Sequence, residues 1–260
     1  FIHKIVENEN IQDTLITKIT GNYSRNGGGI YQLNSNYGFD GIVVNNNTAE
    51  ENGGAIFVQN TTSQFNNLIL KNNTANKGGA IYVSDSDLNI YHLTGYMNFA
   101  NIASNIYTEN SPNINIVNSI FWEESDSDYF IDNSNFIIKN SIISSLFEGE
   151  NNIYLLPEFS DLQNFSLSRV SKALGNGIND SNIPLKDIYG NNRIQSINDN
   201  EIQNPDIGGV ENELGEINFI NWYVSHNGND NNSGILEEDS PLLSINLAIE
   251  KSLNGDRIYI

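Results

Sequence analysis

Residues 44–58 read VNNNTAEENGGAIFV, and residues 70–83 read LKNNTANKGGAIYV. The second stretch repeats most of the first, with two adjacent glycines directly in front of a short apolar run. When this unit is aligned along the chain, the isoleucine of the apolar run recurs at intervals of 26, 25 and 25 residues, at Ile30, Ile56, Ile81 and Ile106. A period of this length indicates a protein built from stacked structural repeats.

The segments between these isoleucines keep the same register. An asparagine column, for example, consists of Asn47, Asn73 and Asn98. Within each unit, apolar residues alternate with polar ones over short runs, and clusters of Asn, Gly and Ser separate the runs, which is typical of strands and turns. Short strands in every unit predict an all-β parallel β-helix, in which successive coils lie about 4.8 Å apart. Residues 1–145 have room for about six coils.

The paired glycines and the asparagine column both fit the corners of such coils. A corner turns tightly while the coils above and below pass close to it, so a positive φ and the absence of Cβ are useful there. Asparagine tolerates the left-handed conformation, and its amide can bond to the equivalent amide one coil away. The residues to which we assign these structural roles are Gly53, Gly54, Gly78, Gly79, Asn47, Asn73 and Asn98.

An aromatic column follows the isoleucine column by one residue, at Tyr31, Phe57, Tyr82 and Tyr107. Successive side chains of a strand point to opposite faces, so inward isoleucines predict an outward aromatic ladder. Such a ladder can stack on sugar rings, which would make these four residues a carbohydrate-binding site. The alternative is that the rings stack on one another or pack against a neighbouring module.

Composition limits the partners that this chain can bind. The formal net charge is −20 with 12 Lys and Arg, which disfavours contact with nucleic acid or with an anionic membrane. The chain has no Cys, so disulfides and thiolate metal sites are excluded. The sequence has no apolar run long enough to span a membrane and no signal peptide. Because it begins at Phe1, we expect it to be a segment of a longer polypeptide.

Acidic residues supply the only candidate metal ligands. Asp85 and Asp87 form one pair, Asp126 and Asp128 form another, and Asp230 lies in a loop rich in Gly and Asn. Each can be a solvated turn residue or a structural Ca²⁺ ligand. The residues His3, His92 and His226 share no motif. We predict no catalytic residue and no cofactor other than a structural Ca²⁺.

The two quoted units resemble the right-handed parallel β-helix repeats of bacterial surface proteins, including the Gly-Gly-Ala-Ile repeats of chlamydial polymorphic outer-membrane proteins. This resemblance covers about residues 25–145 and implies a right-handed coil. It also implies a bacterial protein that is extracellular or lies at the cell surface.

A second resemblance concerns residues 154–211, which are similar to the closing region of secreted β-helix proteins of the choice-of-anchor type. Gly209 replaces the alanine of that pattern. The resemblance gives Arg193, Asp206 and Glu211 a structural role, in which Arg193 pairs with an acid and ties the closing loops over the last coil. The matching positions are Pro157, Phe159, Asp161, Leu167, Ser171, Ala173, Gly175, Asp187, Gly190, Asn191, Arg193, Asp206, Ile207, Gly208 and Glu211.

The last 40 residues resemble the opening of such a domain, with a strand, a loop and a short capping helix. Pro241 stands near the expected helix start, and Leu243, Leu247, Ile249 and Leu253 would form its apolar side. We therefore divide the chain into β-helix coils over 1–145, closing coils and a C-terminal cap over 146–215, and the opening of a following or neighbouring β-helix module over 216–260.

This order predicts a structural or adhesive module that joins copies of itself, or adjacent β-helix modules, end to end in a stiff surface fibre. Two alternatives remain. A polysaccharide lyase or glycosidase would need an acid pair or a Ca²⁺ site in a groove. A non-catalytic carbohydrate-binding β-helix would use the aromatic ladder and have glycans as its partners.

Overall fold

The computed structural model describes residues 10–11, 14–122, 129–144, 147, 149–198, 201–212, 221–235, 240–252 and 256–260. The chain forms two compact units, Phe1–Glu213 and Leu214–Ile260. The first unit contains a parallel β-solenoid of about five turns. The predicted β-helix fold class is therefore confirmed, including a single short helix near the C-terminus among the described residues.

Three parallel sheets form the walls of the solenoid, and from Thr17 to Glu109 the chain passes through them in the repeating order first, second, third. The first sheet contains Thr17–Thr20, Phe39–Asn45, Thr62–Lys71, Asp87–Tyr96, Asn113–Val117 and Phe136–Lys139, together with the short strands Ile120–Trp122 and Ile142–Ile143. The second sheet contains Tyr23–Asn26, Thr48–Asn52, Thr74–Lys77 and Phe99–Ile102. The third contains Ile30–Leu33, Ile56–Gln59, Ile81–Ser84, Ile106–Glu109 and Tyr129–Asp132.

The repeat columns of the sequence are vertical neighbours in the structure. Ile81 is the Cα partner of Ile56 on one side and of Ile106 on the other, and all three are buried in the main apolar core. Like residues thus fill equivalent positions in every turn, which lets each coil repeat the packing of the last. About five turns are present where we expected about six, and residues 10–15 include a small antiparallel pair, Asn10–Ile11 with Thr14–Leu15.

The corners are stabilised by the paired glycines and by a ladder of buried asparagines. Gly53 has φ +68°, and a Cβ on Gly54 would lie 2.3 Å from the carbonyl oxygen of Gly79 in the next turn. Nδ2 of Asn47 donates to Oδ1 of Asn73 at 3.0 Å, and Nδ2 of Asn73 donates to Oδ1 of Asn98 at 2.9 Å. Each rung therefore satisfies buried amides that water cannot reach.

Aromatic rings close the last described turn of the core. Tyr129 continues the isoleucine column and packs against Phe121, Phe136 and Phe147, with ring centroids 5.6 to 5.9 Å away. Large rings thereby cover the aliphatic interior at this end of the stack.

The outer face of the first sheet carries a second apolar column, which the closing segment covers. The buried residues Val43, Ile69, Thr94, Ile120 and Ile142 are successive register partners along this face. They pack against apolar side chains of the closing segment, among them Phe165, Ile188, Val210, Leu167 and Ile207. The closing segment, described over residues 157–198 and 201–212, consequently packs along the side of the stack, whereas the sequence predicted closing loops over the last coil. The reason is the apolar outer column, which has to be removed from water.

The second unit contains a parallel strand pair, Asn221–Tyr223 with Arg257–Tyr259, and the helix Ile245–Lys251. Its small core consists of Trp222, Leu242 and Ala248. The predicted apolar side of the helix is wrong in part, since Leu243 and Ile249 are more than half exposed. Of the described residues that we assigned to that side, Leu247 packs on this core. Leu253 lies outside the described residues. None of the helices in the described part of the chain has the length and apolar character to cross a membrane.

Candidate functional site

The aromatic column forms a continuous stack on the third sheet. Tyr31, Phe57, Tyr82 and Tyr107 have ring centroids 4.8 to 5.1 Å apart and interplanar angles of 1 to 11°. Phe130 adds a fifth ring, 4.7 Å from Tyr107, which the sequence did not reveal. The spacing of 23 residues between Tyr107 and Phe130 is shorter than the repeat, and this hid the fifth member.

Burial limits what this stack can bind. Phe57, Tyr82 and Tyr107 are only 5 to 6% exposed, because neighbouring rings cover their faces, whereas Tyr31 is 45% exposed. The hydroxyl of Tyr82 donates to Glu109 at 2.6 Å, and burial together with this bond raises the pKa of Tyr82. The rings therefore stabilise one another. Binding of sugars by this column stays a prediction, and only the exposed rings at its two ends are accessible to a sugar.

The predicted acidic metal ligands are dispersed. Asp87 accepts a hydrogen bond from Asn113, and Oδ1 of Asp230 accepts from the backbone N–H groups of Leu243 and Ser244 before the short helix. Asp126 and Asp128 lie outside the described residues. Over the described ranges, no three His, Cys, Asp or Glu residues approach closely enough to hold a metal ion. The role of Asp85 as a Ca²⁺ ligand stays a prediction.

Arg193 is the centre of a buried polar cluster between the closing segment and the first sheet. Its side chain is fully buried, and it donates to Oε2 of Glu211 at 3.3 Å, to Oδ1 of Asn67 at 2.7 Å and to the carbonyl of Gly209 at 3.1 Å. Asn67 is 126 residues away in the chain and belongs to a middle turn of the solenoid. The guanidinium thus joins the closing segment to the side of the stack through three acceptors.

Carboxylates organise the loops around Arg193. Asp206 accepts from the backbone N–H groups of Gly175 and Asn212, and Glu211 accepts from that of Asp206. Burial raises the pKa of Asp206, and burial with the neighbouring negative charge of Asp206 raises the pKa of Glu211, although Arg193 opposes both shifts. Several buried acids share one guanidinium, which favours retention of a proton by Glu211 at neutral pH.

His92 occupies the same outward column as Asn67 and Asn118 and contacts the closing segment. Its Nδ1 lies 3.1 Å from the carbonyl oxygen of Gly208, and its Nε2 lies 3.1 Å from Nδ2 of Asn118. A carbonyl needs a donor and an amide nitrogen needs an acceptor, so the ring is neutral with the proton on Nδ1. Burial lowers the pKa of His92 well below its ordinary value.

The cluster makes the stability of the fold pH-dependent. Glu211 has an ordinary pKa of 4.5 that is raised to about 9 in the folded chain, so the folded state retains a proton that the unfolded state loses. Stability is then expected to fall as the pH rises between the ordinary and the folded pKa of Glu211, an interval that includes pH 7 to 9, by roughly 1 kcal/mol per pH unit. His92 is neutral in the folded chain, and the unfolded histidine loses the rest of its proton just above pH 7, so its contribution over this interval is small and of the opposite sign.

Urea unfolding at pH 7 and pH 9, compared between the wild type and Glu211→Gln, measures this effect. Glutamine cannot titrate, and we expect the variant to lose most of the decrease. Equal decreases in the two proteins would show that Glu211 is ionised at neutral pH.

Two segments of the chain, residues 41–59 and 67–84, match the Chlamydia polymorphic membrane protein (Chlamydia_PMP) repeat. Both lie in the stacked turns described above. The chain is a parallel β-helix repeat protein. No curated protein and no solved structure matches the chain significantly. The match covers the repeat and leaves out the closing segment and the second unit.

Proposed function

We propose that the protein is a structural or adhesive module of a bacterial cell surface, and that its second unit joins an adjacent β-helix module end to end. The observation that carries this proposal is the apolar surface of the second unit. Its strand pair is parallel, as in stacked coils, and several large apolar side chains of this unit are 41 to 88% exposed: Ile235, Leu243, Ile245, Ile249, Tyr259 and Ile260. Burial of this surface against another module would favour association.

Two further features support this function. The first unit repeats one packing arrangement through about five turns, which suits a stiff rod. The match to a polymorphic membrane protein repeat supports a location at the outer surface of a cell. Antibody labelling of intact cells of the source organism tests that location, and labelling that appears only after lysis would contradict it.

Light scattering and electron microscopy of the purified chain over a range of concentrations test end-to-end association. We expect oligomers that lengthen with concentration, and we expect Ile249→Gln to shift this equilibrium toward the monomer because Ile249 is 58% exposed on the short helix. The matched control is Leu185→Gln, which removes a 79% exposed side chain from the first unit. A chain that is monomeric at every concentration, or equal effects of the two substitutions, would contradict the proposal.

A further inference from the structure

A cavity of about 560 Å³ lies in the first unit, beside the ends of two strands of the first sheet. This volume falls within the size range of small-molecule binding sites. Four aromatic residues contribute to its lining: Tyr96, Phe99, Trp122 and Phe159. The ring of Tyr96 meets that of Phe159 edge to face, with centroids 5.9 Å apart.

Three residues of this cavity depart from the repeat, so the equivalent positions of the other turns provide a comparison within the chain. The preceding turns carry Asn45 and Lys71 at the position of Tyr96, Asn46 and Asn72 at the position of Met97, and Thr48 and Thr74 at the position of Phe99. Polar residues therefore satisfy the fold at all three positions. The change to apolar residues occurs where the cavity opens, and Met97 and Phe99 are 59% and 58% exposed.

Met97 shows that this change has a cost. Its φ is 52°, close to the values of 53° and 55° at Asn46 and Asn72. The left-handed conformation suits asparagine, whose side chain can hydrogen-bond locally, better than an unbranched apolar residue. Backbone conformation alone thus favours asparagine, although Met97 stands here with an exposed side chain.

The charge of the cavity indicates the kind of ligand. Glu158 is the only charged side chain among the described residues of the lining, and its backbone is held at φ 51°. Lys71 lies outside the lining, with its ammonium 5.2 Å from the ring centroid of Phe165 and 3.4 Å from the carbonyl oxygen of Leu162. Aromatic rings around a site with one carboxylate attract a cation, and the net charge of −20 adds long-range attraction.

We propose that this cavity binds an organic cation with a quaternary ammonium group. The rings of Tyr96, Phe99 and Trp122 contact its methyl groups, Met97 covers the rim, and Glu158 balances its charge. A weakly hydrated cation suits these walls better than a metal ion, which needs several oxygen ligands. The proposal does not depend on end-to-end association of the chain.

Isothermal titration of the full chain with choline tests the proposal, and 3,3-dimethylbutan-1-ol is the matched neutral ligand because it replaces the nitrogen of choline with carbon. We expect saturable binding of choline at one site, and binding of the neutral compound that is weaker by about tenfold or more. Absence of saturable choline binding, or equal affinities for the two compounds, would overturn the proposal.

Replacing a lining residue of the cavity with the residue found at the same position in neighbouring turns tests whether choline binds in this cavity. We expect Phe99→Thr to weaken choline binding at least fivefold, while the control Tyr23→Thr leaves binding unchanged. Tyr23 is 69% exposed in the same register column of the second sheet, three turns away from Phe99. Because threonine already stands at this position in Thr48 and Thr74, both variants should fold, which circular dichroism verifies. Equal affinities of the two variants would contradict the assignment.

A quaternary ammonium group can belong to a free ion or to a lipid headgroup, and vesicles distinguish these sources. Cosedimentation of the wild type, but not of Phe99→Thr, with phosphatidylcholine vesicles would assign the group to a lipid. Binding of choline without cosedimentation would assign a free ion. Glu158→Gln is expected to weaken both forms of binding at least fivefold, and unchanged binding by this variant would remove the carboxylate from the proposal.

Discussion

Replacing Arg193 with leucine is expected to lower the free energy of unfolding by about 3–5 kcal/mol. The substitution removes the guanidinium that compensates the buried carboxylate of Asp206, and it leaves the oxygen atoms of Glu211, Asn67 and Gly209 without the donor that Arg193 supplies. Removal of one partner from a buried pair leaves a charge that water cannot solvate. Urea unfolding at pH 7 measures the change.

The matched control is Arg25→Leu, because Arg25 forms an ion pair with Glu51 on the surface. The atoms of that pair are 2.9 Å apart, closer than the 3.3 Å between Arg193 and Glu211, but the two side chains are 74% and 43% exposed. Water and salt screen an exposed pair, so we expect a much smaller loss of stability than for Arg193→Leu. If the two substitutions had equal effects, burial would not determine the contribution of these pairs.

The sequence predicted the inner core of the solenoid but not its apolar outer column, and this difference has a physical cause. Ile56, Ile81 and Ile106 could be aligned because each occupies the same position of a turn and is therefore under the same packing constraint. The apolar outer column, which includes Ile69 and Ile120, was not recognised. Its packing partners come from a segment that does not repeat, so no periodicity in the sequence indicates them.

The buried cluster shows the same limit at the level of single contacts. The resemblance to closing regions drew attention to Arg193 and Glu211, and the guanidinium does contact the carboxyl group of Glu211, at 3.3 Å. The contact of Arg193 with Asn67 could not be predicted from the sequence, because these residues are 126 positions apart and Asn67 resembles many other asparagines of the repeat. Likewise, alternation along the strand predicted that Tyr82 faces outward, but its burial depends on rings in the adjacent turns.

The two glycines of a corner meet different requirements. Gly53 has a positive φ, whereas Gly54 lies close to the backbone of the next turn. Gly54→Ala tests the second requirement. A Cβ at this position would lie 2.3 Å from the carbonyl oxygen of Gly79 and 2.8 Å from backbone atoms of Thr74. These neighbours are backbone groups fixed by the sheets, so relief requires the turns to move apart. We expect a loss of about 3 kcal/mol or more in the free energy of unfolding, measured with urea.

Gly21→Ala is the control for that experiment, because Gly21 has φ +69° and its Cβ would meet no atom within 4 Å. Alanine there experiences the left-handed conformation alone, which costs about 1–2 kcal/mol. A larger loss for Gly54→Ala would establish that the second glycine of the repeat is required by the approach of adjacent turns. Equal losses would mean that backbone conformation alone explains the glycines, and that the corners have more space between turns than the close approach of Gly54 to Gly79 implies.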